Sequence, residues 1–384
     1  MGYDLFAIWD KNVMRMEEIV DVHSKVKYLL TRDKQDARRT YQRLIREYSF
    51  ADMSKYYLSH DTVAMLPKFS FLIQFKFVLA TSLLSRDDEG FHVCDNPIRK
   101  DKIFKIPMIS GSTWKGNFRW TAMKLTVDAF PRNITLGDLD ECLGLRSRLV
   151  RLFGHEKDMT ENYLDEMTAE RLPGGANKEN RNAVRERFTK FLNEKYYVKE
   201  GMDGRRGRLN FYPTFFDRIG LEVINPHDRK TKAGTLPIYI ESVPEGTSGI
   251  FTLLYVPFDL IRVGADAAGE VLLDIDLVFN ALKAMMLTYG FSAKKSSGFG
   301  ISHEGIAGTF EMSKHLVYKE KECVQSAKND VNNSSPFAKL KDFRVAASEG
   351  AKKTKDTTFS SFDELEHLIK RVSDLVREGK EDDQ

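Results

Sequence analysis

Cysteine is scarce in this 384-residue chain, and Cys94, Cys142 and Cys323 lie too far apart for a zinc site or a disulfide framework, which fits a reducing cytoplasm. No stretch approaches the roughly 18 apolar residues of a membrane span, and the N-terminus, with Asp4 and Asp10, carries no signal-peptide pattern. A membrane partner is not expected, and the chain reads as soluble and cytoplasmic. Bulk positive charge is missing too. The net charge is only +3, from 59 Lys+Arg against 56 Asp+Glu, so any nucleic-acid binding has to be local. The Walker order and the dinucleotide glycine spacing are both absent, and no organic cofactor is expected.

What the chain does have is residues 290–300, Gly-Phe-Ser-Ala-Lys-Lys-Ser-Ser-Gly-Phe-Gly. Glycines such as Gly290 and Gly298 let backbone N–H groups approach a phosphate. Ser292, Ser296 and Ser297 can donate hydrogen bonds, and Lys294 and Lys295 neutralise charge. The loop follows an apolar stretch of helical spacing, residues 275–289, and precedes a strand expected at 301–305. From these residues alone, a phosphate site and a plain glycine turn both stay open.

A length of 384 residues suits two domains, or one core with large insertions. Residues 10–67 read as charged and helical, with Tyr41, Leu44 and Ile45 forming one apolar stripe. Residues 69–79 alternate Phe69, Phe71, Ile73, Phe75, Phe77 and Leu79 with more polar positions, the period of a half-buried strand. A polar loop over 84–105 leads to a helix over 113–130, for which Ser112 is the expected N-cap. Lys115 and Arg119 are four apart and share a face of that helix, so an anion site and a capped surface helix are both compatible with them. Residues 154–204 are very hydrophilic and read as an insertion projecting from the core. Strands are expected near 208–216, 238–243 and 249–256. Polar stretches at 329–335 and 346–358 read as a flexible linker, ahead of an amphipathic helix over 362–378.

Five segments, taken in order, resemble a known family. They are Asp95-Asn96-Pro97-Ile98-Arg99, residues 106–119, Leu152-Phe153-Gly154, Gly207-Arg208-Leu209-Asn210-Phe211 and residues 241–247, with the glycine-rich loop closing the series. The set is similar to the RAMP superfamily of CRISPR-associated RNA-binding proteins, and specifically to backbone subunits of type III Csm and Cmr effector complexes. The resemblance implies an α+β class with a ferredoxin-like, RRM-like core that presents one sheet face to RNA. It implies a helical N-terminal extension over 1–67, a core over 68–311 with an insertion at about 155–206, and a linker and C-terminal helix over 312–384.

By motif, Gly111, Ser112, Lys115 and Arg119 would hold guide-RNA phosphates, as would Gly290, Lys294, Lys295, Ser296, Ser297 and Gly298. Arg229 and Lys230 would reach over the guide. Asp95 corresponds to the residue that target-cleaving members place beside a splayed nucleotide. There a carboxylate can accept the 2′-hydroxyl proton or hold a transient divalent ion such as Mg2+, giving a cyclic phosphate. Without the family, Asp95 reads as an Asx-turn residue ahead of Pro97, and His92 as a bystander. The implied partners are guide RNA, complementary target RNA, other RAMP subunits and the large signature subunit. The resemblance, with Asp95 in the matching motif and Pro97 intact, implies cleavage of target RNA by this subunit, with an inactive structural or capping guide-binding role as the alternative. Against the family pattern, Ser82 to Glu89, with the three consecutive acids Asp87, Asp88 and Glu89, replaces a glycine-rich stretch, and Ser112-Thr113-Trp114 replaces Ser-Ser-Leu.

Overall fold

A computed structural model describes residues 16–19, 22–46, 50, 52–87, 92–156, 162–195, 204–225, 230, 234, 237–261, 266–313 and 357–378. The chain enters through helices α1 (Val22–Tyr28) and α2 (Lys34–Leu44). Asp33 caps α2 by accepting from the amides of Gln35 and Asp36. Strand β1 (Phe71–Val78) follows, then the two-residue β2 (Met108–Ile109) and α3 (Gly111–Asp128). After α4 (Leu139–Phe153) come β3 (Gly154–Glu156), α5 (Asn162–Ala169), α6 (Lys178–Lys195) and β4 (Gly204–Arg206). Short strands β5 (Leu209–Phe211), β6 (Thr214–Phe215), β7 (Gly220–Ile224) and β8 (Ile238–Ser242) lead to β9 (Ser248–Tyr255). Helix α7 (Asp266–Ala284) runs on into a π-helical turn (Met285–Tyr289), and β10 (Gly305–Met312), β11 (Thr358–Ser361) and α8 (Phe362–Glu378) end the described chain.

The main sheet has the order β11-β10-β1-β9-β5, and every neighbouring pair is antiparallel. Read through β1, α3, β5, β9, α7 and β10, the path is βαββαβ with spatial order fourth, first, third, second. That is the ferredoxin-like arrangement. Phe71, Ile73, Phe75 and Phe77 project from one face of β1 into a core shared with α3, α7 and α8.

The other face is not the open RNA platform expected from the resemblance. Leu72, Leu254 and Val256 are buried there against Leu58, Val63, Leu66 and Tyr212, and Gln74 donates to the carbonyl of Leu58 at 3.5 Å. The segment before β1 therefore covers much of that face.

Three further expectations need correction. The insertion does not project from the core. The β3–β4 ladder closes its base, and Leu164, Ala169, Leu172 and Val184 join the main core. Asp165 of α5 pairs with Arg146 of α4 at 2.9 Å and with Arg185 of α6 at 3.1 Å. Hydrophilic residues mask this because their apolar minority lies on one helical face. The strand expected at 301–305 lies later, at Gly305–Met312. Gly308 dilutes its pattern, yet a side chain there would meet the Gln74 carbonyl at 2.2 Å, so glycine permits β10 to lie against β1. The N-cap of α3 is Ser110, whose Oγ accepts from the Thr113 amide at 3.2 Å. Ser112 lies inside the helix. Of the expected linker, residues 329–335 and 346–356 lie outside the described residues.

Two motifs turn out to be one contact. A side chain on Gly207 would meet the Phe153 carbonyl carbon at 2.4 Å, and one on Gly154 (φ +86) would meet the Arg205 carbonyl at 2.6 Å. The Leu-Phe-Gly step and the Gly-Arg-Leu strand thus touch backbone to backbone.

Candidate nucleic-acid interface

Trp114 anchors α3. It is fully buried between Phe251 (centroids 4.9 Å) and Phe291 (4.8 Å), and its indole N–H donates to Thr214 Oγ1 at 3.0 Å. With this side of α3 fixed, Ser112 and Lys115 are exposed and Arg119 half-buried on the outer side. Gly111 faces inward instead, where a side chain would meet the Phe211 carbonyl at 2.4 Å, so it permits α3 to approach β5.

The glycine-rich loop is held by its two ends. Ser292 is buried, donating to the Leu84 carbonyl at 2.8 Å while accepting from the Leu84 amide at 2.7 Å. The Gly300 amide donates to the Ser82 carbonyl at 3.0 Å. Between these anchors Lys294 adopts a left-handed conformation (φ 57), and Lys295–Ser297 forms a single 3-10 turn that ends at left-handed Gly298. Lys294, Ser296, Ser297 and Gly298 are exposed, whereas Ser292 is structural and Gly290 (φ 75) shapes the start of the loop.

The two basic segments meet, across 178 positions of sequence, through a residue that sequence reasoning passed over. Lys295 Nζ donates to Asn117 Oδ1 at 3.0 Å, and Asn117 Nδ2 donates to the Phe291 carbonyl at 3.2 Å. Asn117 lies on α3 between Lys115 and Arg119. A polar residue of poor helix propensity at a half-buried helical position was the available signal. Burial, followed by the charge of Arg119, holds the Lys115 ammonium below its ordinary pKa, and burial does the same to Lys295. An arriving phosphate would relieve both.

Asp95 stands apart from this surface. It is 38% exposed, and both of its oxygens are engaged by α2: Arg38 at 2.8 Å and Lys34 at 3.2 Å. Arg38 also lies 4.6 Å over the Tyr239 ring. Beneath Asp95, Glu241 is buried and bonded by Lys100 Nζ at 2.6 Å, the Ile98 amide at 2.9 Å and the Tyr41 hydroxyl, with His92 Nε2 at 3.3 Å. Burial pushes the Glu241 carboxyl up to about 8, against the Ile98 hydrogen bond, and the touching Lys100 ammonium also favours its charged form. Glu241 is the hub that seats the 92–100 loop against β8. Its place at the start of the Glu-x-Val-Pro stretch gave no hint of that role. His92 belongs to this buried hub and does not line an open site.

Asp95 is occupied by two cations, and among the described residues no three His, Cys, Asp or Glu side chains are grouped to hold a metal. Asp87, one of the three unexpected acids, accepts from the Lys100 amide at 3.1 Å. Lys230 is exposed, and Arg229 lies outside the described residues.

The motif arginine Arg208 is buried with Arg151 against Asp259, Glu270 and Asp274. Its Nη1 is 2.7 Å from Asp274, and Arg151 Nη2 is 2.6 Å from the same carboxylate. Burial works against the Arg208 charge, and Asp259, Tyr255 and Asp274 together overcome it, so its pKa ends above the ordinary value. The cluster ties α4, β5, β9 and α7 together and leaves Arg208 unavailable to RNA.

The model of the RAMP superfamily matches residues 76–301, more than half of the chain and the span that holds both basic segments. The protein belongs to the RAMP superfamily. No curated protein matches the sequence. Among solved structures, this RAMP protein is similar to a chain of the type III-B Cmr-beta complex bound to cognate target RNA, with 15% identity, a TM-score of 0.35, and coverage of 74% of this chain and 76% of that one. It is also similar to Csc2 of Thermofilum pendens, with 14% identity, a TM-score of 0.34, and coverage of 82% and 86%. Among the described residues, no helix of the RAMP protein is long and apolar enough to cross a membrane.

Proposed function

We propose that this RAMP protein is a guide-RNA-binding subunit of a type III CRISPR effector complex, working beside other RAMP subunits and the large signature subunit. The observation that carries the reading is the Lys295–Asn117 hydrogen bond, which joins exposed Lys115 and half-buried Arg119 to exposed Lys294, Ser296 and Ser297 in one basic surface. Exposed N–H and hydroxyl donors among four cations suit a sugar-phosphate backbone, and the modest net charge confines binding to this patch. The test is guide-RNA affinity of the full-length protein. Lys115→Ala and Lys294→Ala should each weaken binding, and the reading fails if neither does.

Cleavage of target RNA is the second reading, supported by Asp95 in its matching motif and by its partial exposure. Its two ion pairs to α2 support a guide-holding role instead, because Lys34 and Arg38 would have to give way before a 2′-hydroxyl could reach the carboxylate. In a reconstituted guide-loaded complex, Asp95→Ala should leave the cutting of labelled complementary RNA unchanged. Loss of the cuts opposite this subunit, with guide binding intact, would establish the cutting role.

A further inference from the structure

One turn past Gly116 on α3, Trp120 is a large aromatic that the fold does not bury. It is 39% exposed, although the neighbouring indole of Trp114 is fully enclosed. Three groups flank its ring. Tyr289, at the end of the π-helical turn, meets it edge to face with centroids 5.1 Å apart and planes at 85°. Lys295 Nζ stands 4.5 Å from its centroid, fixed from behind by Asn117. Lys124, one turn further along, lies 5.6 Å from the same ring and 4.7 Å from that of Tyr163.

Helical side chains lean toward the N-terminus, so Trp120 overhangs the turn that begins at Gly116. A Cβ added to Gly116 would meet no atom within 4 Å. Glycine in mid-helix is destabilising relative to alanine, and no close contact at its Cβ position explains it here. The result is a bare notch beside a rigid, part-exposed ring, bordered by cations that also belong to the phosphate surface. Flat, apolar and quadrupolar, such a ring suits a nucleobase, and the adjoining ammonium groups suit the phosphates on either side of it.

We propose that Trp120, with the notch at Gly116, is a stacking site for one unpaired base of the RNA whose backbone runs over Lys115, Arg119 and Lys294. The inference rests on the guide-binding reading and adds a base contact to it. The stacking is indifferent to sequence, because every base offers a π face.

The experiment measures single-stranded RNA affinity of the full-length protein at fixed salt, for native, Trp120→Ala, Trp120→Phe, Gly116→Leu and Lys115→Ala proteins, with melting curves to confirm folding. It is repeated with strands in which abasic residues are stepped along the sequence. Trp120→Ala should weaken binding about 10-fold, within the roughly 5- to 150-fold span of base–aromatic stacking, without altering the salt dependence. Trp120→Phe should retain most of the affinity, and Gly116→Leu should mimic the alanine loss by filling the notch. One abasic position should weaken the native protein and leave Trp120→Ala unaffected. If Lys115→Ala weakens binding but Trp120→Ala and Gly116→Leu do not, the stacking site is wrong and the exposed ring belongs to a protein contact. If neither Lys115→Ala nor Trp120→Ala changes the affinity, the guide-binding reading itself falls, and the stacking site with it.

Discussion

Two acidic residues show how differently ion pairs act at the scale of single side chains. Asp95 is paired at the surface with Lys34 and Arg38, where water and salt screen the charges. Asp274 is fully buried, accepting from Arg208, Arg151 and the Tyr255 hydroxyl at 2.7, 2.6 and 2.9 Å. Urea unfolding should report the contrast. Asp95→Ala should cost about 1 kcal/mol or less, whereas Asp274→Ala should cost about 3–5 kcal/mol because it strands two buried guanidinium groups. The motif aspartate would then be a surface strut for the N-terminal helices, and the unremarked one a keystone. A motif marks chemistry by residue type and order. It carries no record of burial, so the sequence could not separate the solvent-facing Lys115 from the core-facing Arg208.

At the scale of elements, the clearest signals were periodic ones. The alternation around β1 and the helical spacing leading up to the glycine-rich loop were legible because one face of each packs on a single core. The strand β11 was not legible, being four residues long and distant in sequence from its partner β10. It also carries an amphipathic helix into the core. Phe359, Phe362, Leu365 and Ile369 are buried there, with Phe359 and Phe362 flanking Phe75 at 6.1 and 5.9 Å, and Lys283 pairs with Asp363 at 2.8 Å. Each of these apolar side chains contributes about 1.5–3 kcal/mol. Deleting residues 357–384 should therefore lower the unfolding midpoint sharply and expose dye-binding apolar surface. An unchanged midpoint would mean that α8 is a passenger. The glycine contacts belong to this scale too: α4 and β5 approach through Gly154 and Gly207, which the sequence offered as two unrelated motifs.

For the molecule as a whole, a net charge of +3 and a basic patch confined to α3 and the glycine-rich loop make a quantitative expectation. Single-stranded binding should lose affinity with salt at a logarithmic slope near −0.7 per phosphate contacted. Four cations, Lys115, Arg119, Lys294 and Lys295, then give a slope of about −3, and Lys115→Ala should reduce it by somewhat less than one unit. A much steeper slope would point to basic side chains beyond the patch. The sheet face that the resemblance assigned to RNA is excluded from this sum, since residues 58–66 cover much of it. Only the three-dimensional packing of the N-terminal segment could reveal that.

The lateral position of β11 bears on how the protein is made. A chain emerging N-terminus first forms β1, β9 and β10 while the outer edge of β10 still has no partner, and an unpaired edge invites strands of other chains. Only when residues 358–361 leave the ribosome can that edge close. A truncated translation product would therefore carry a nearly complete sheet with one adhesive side, and β11, the last strand among the described residues, is the one that would keep newborn copies from joining edge to edge.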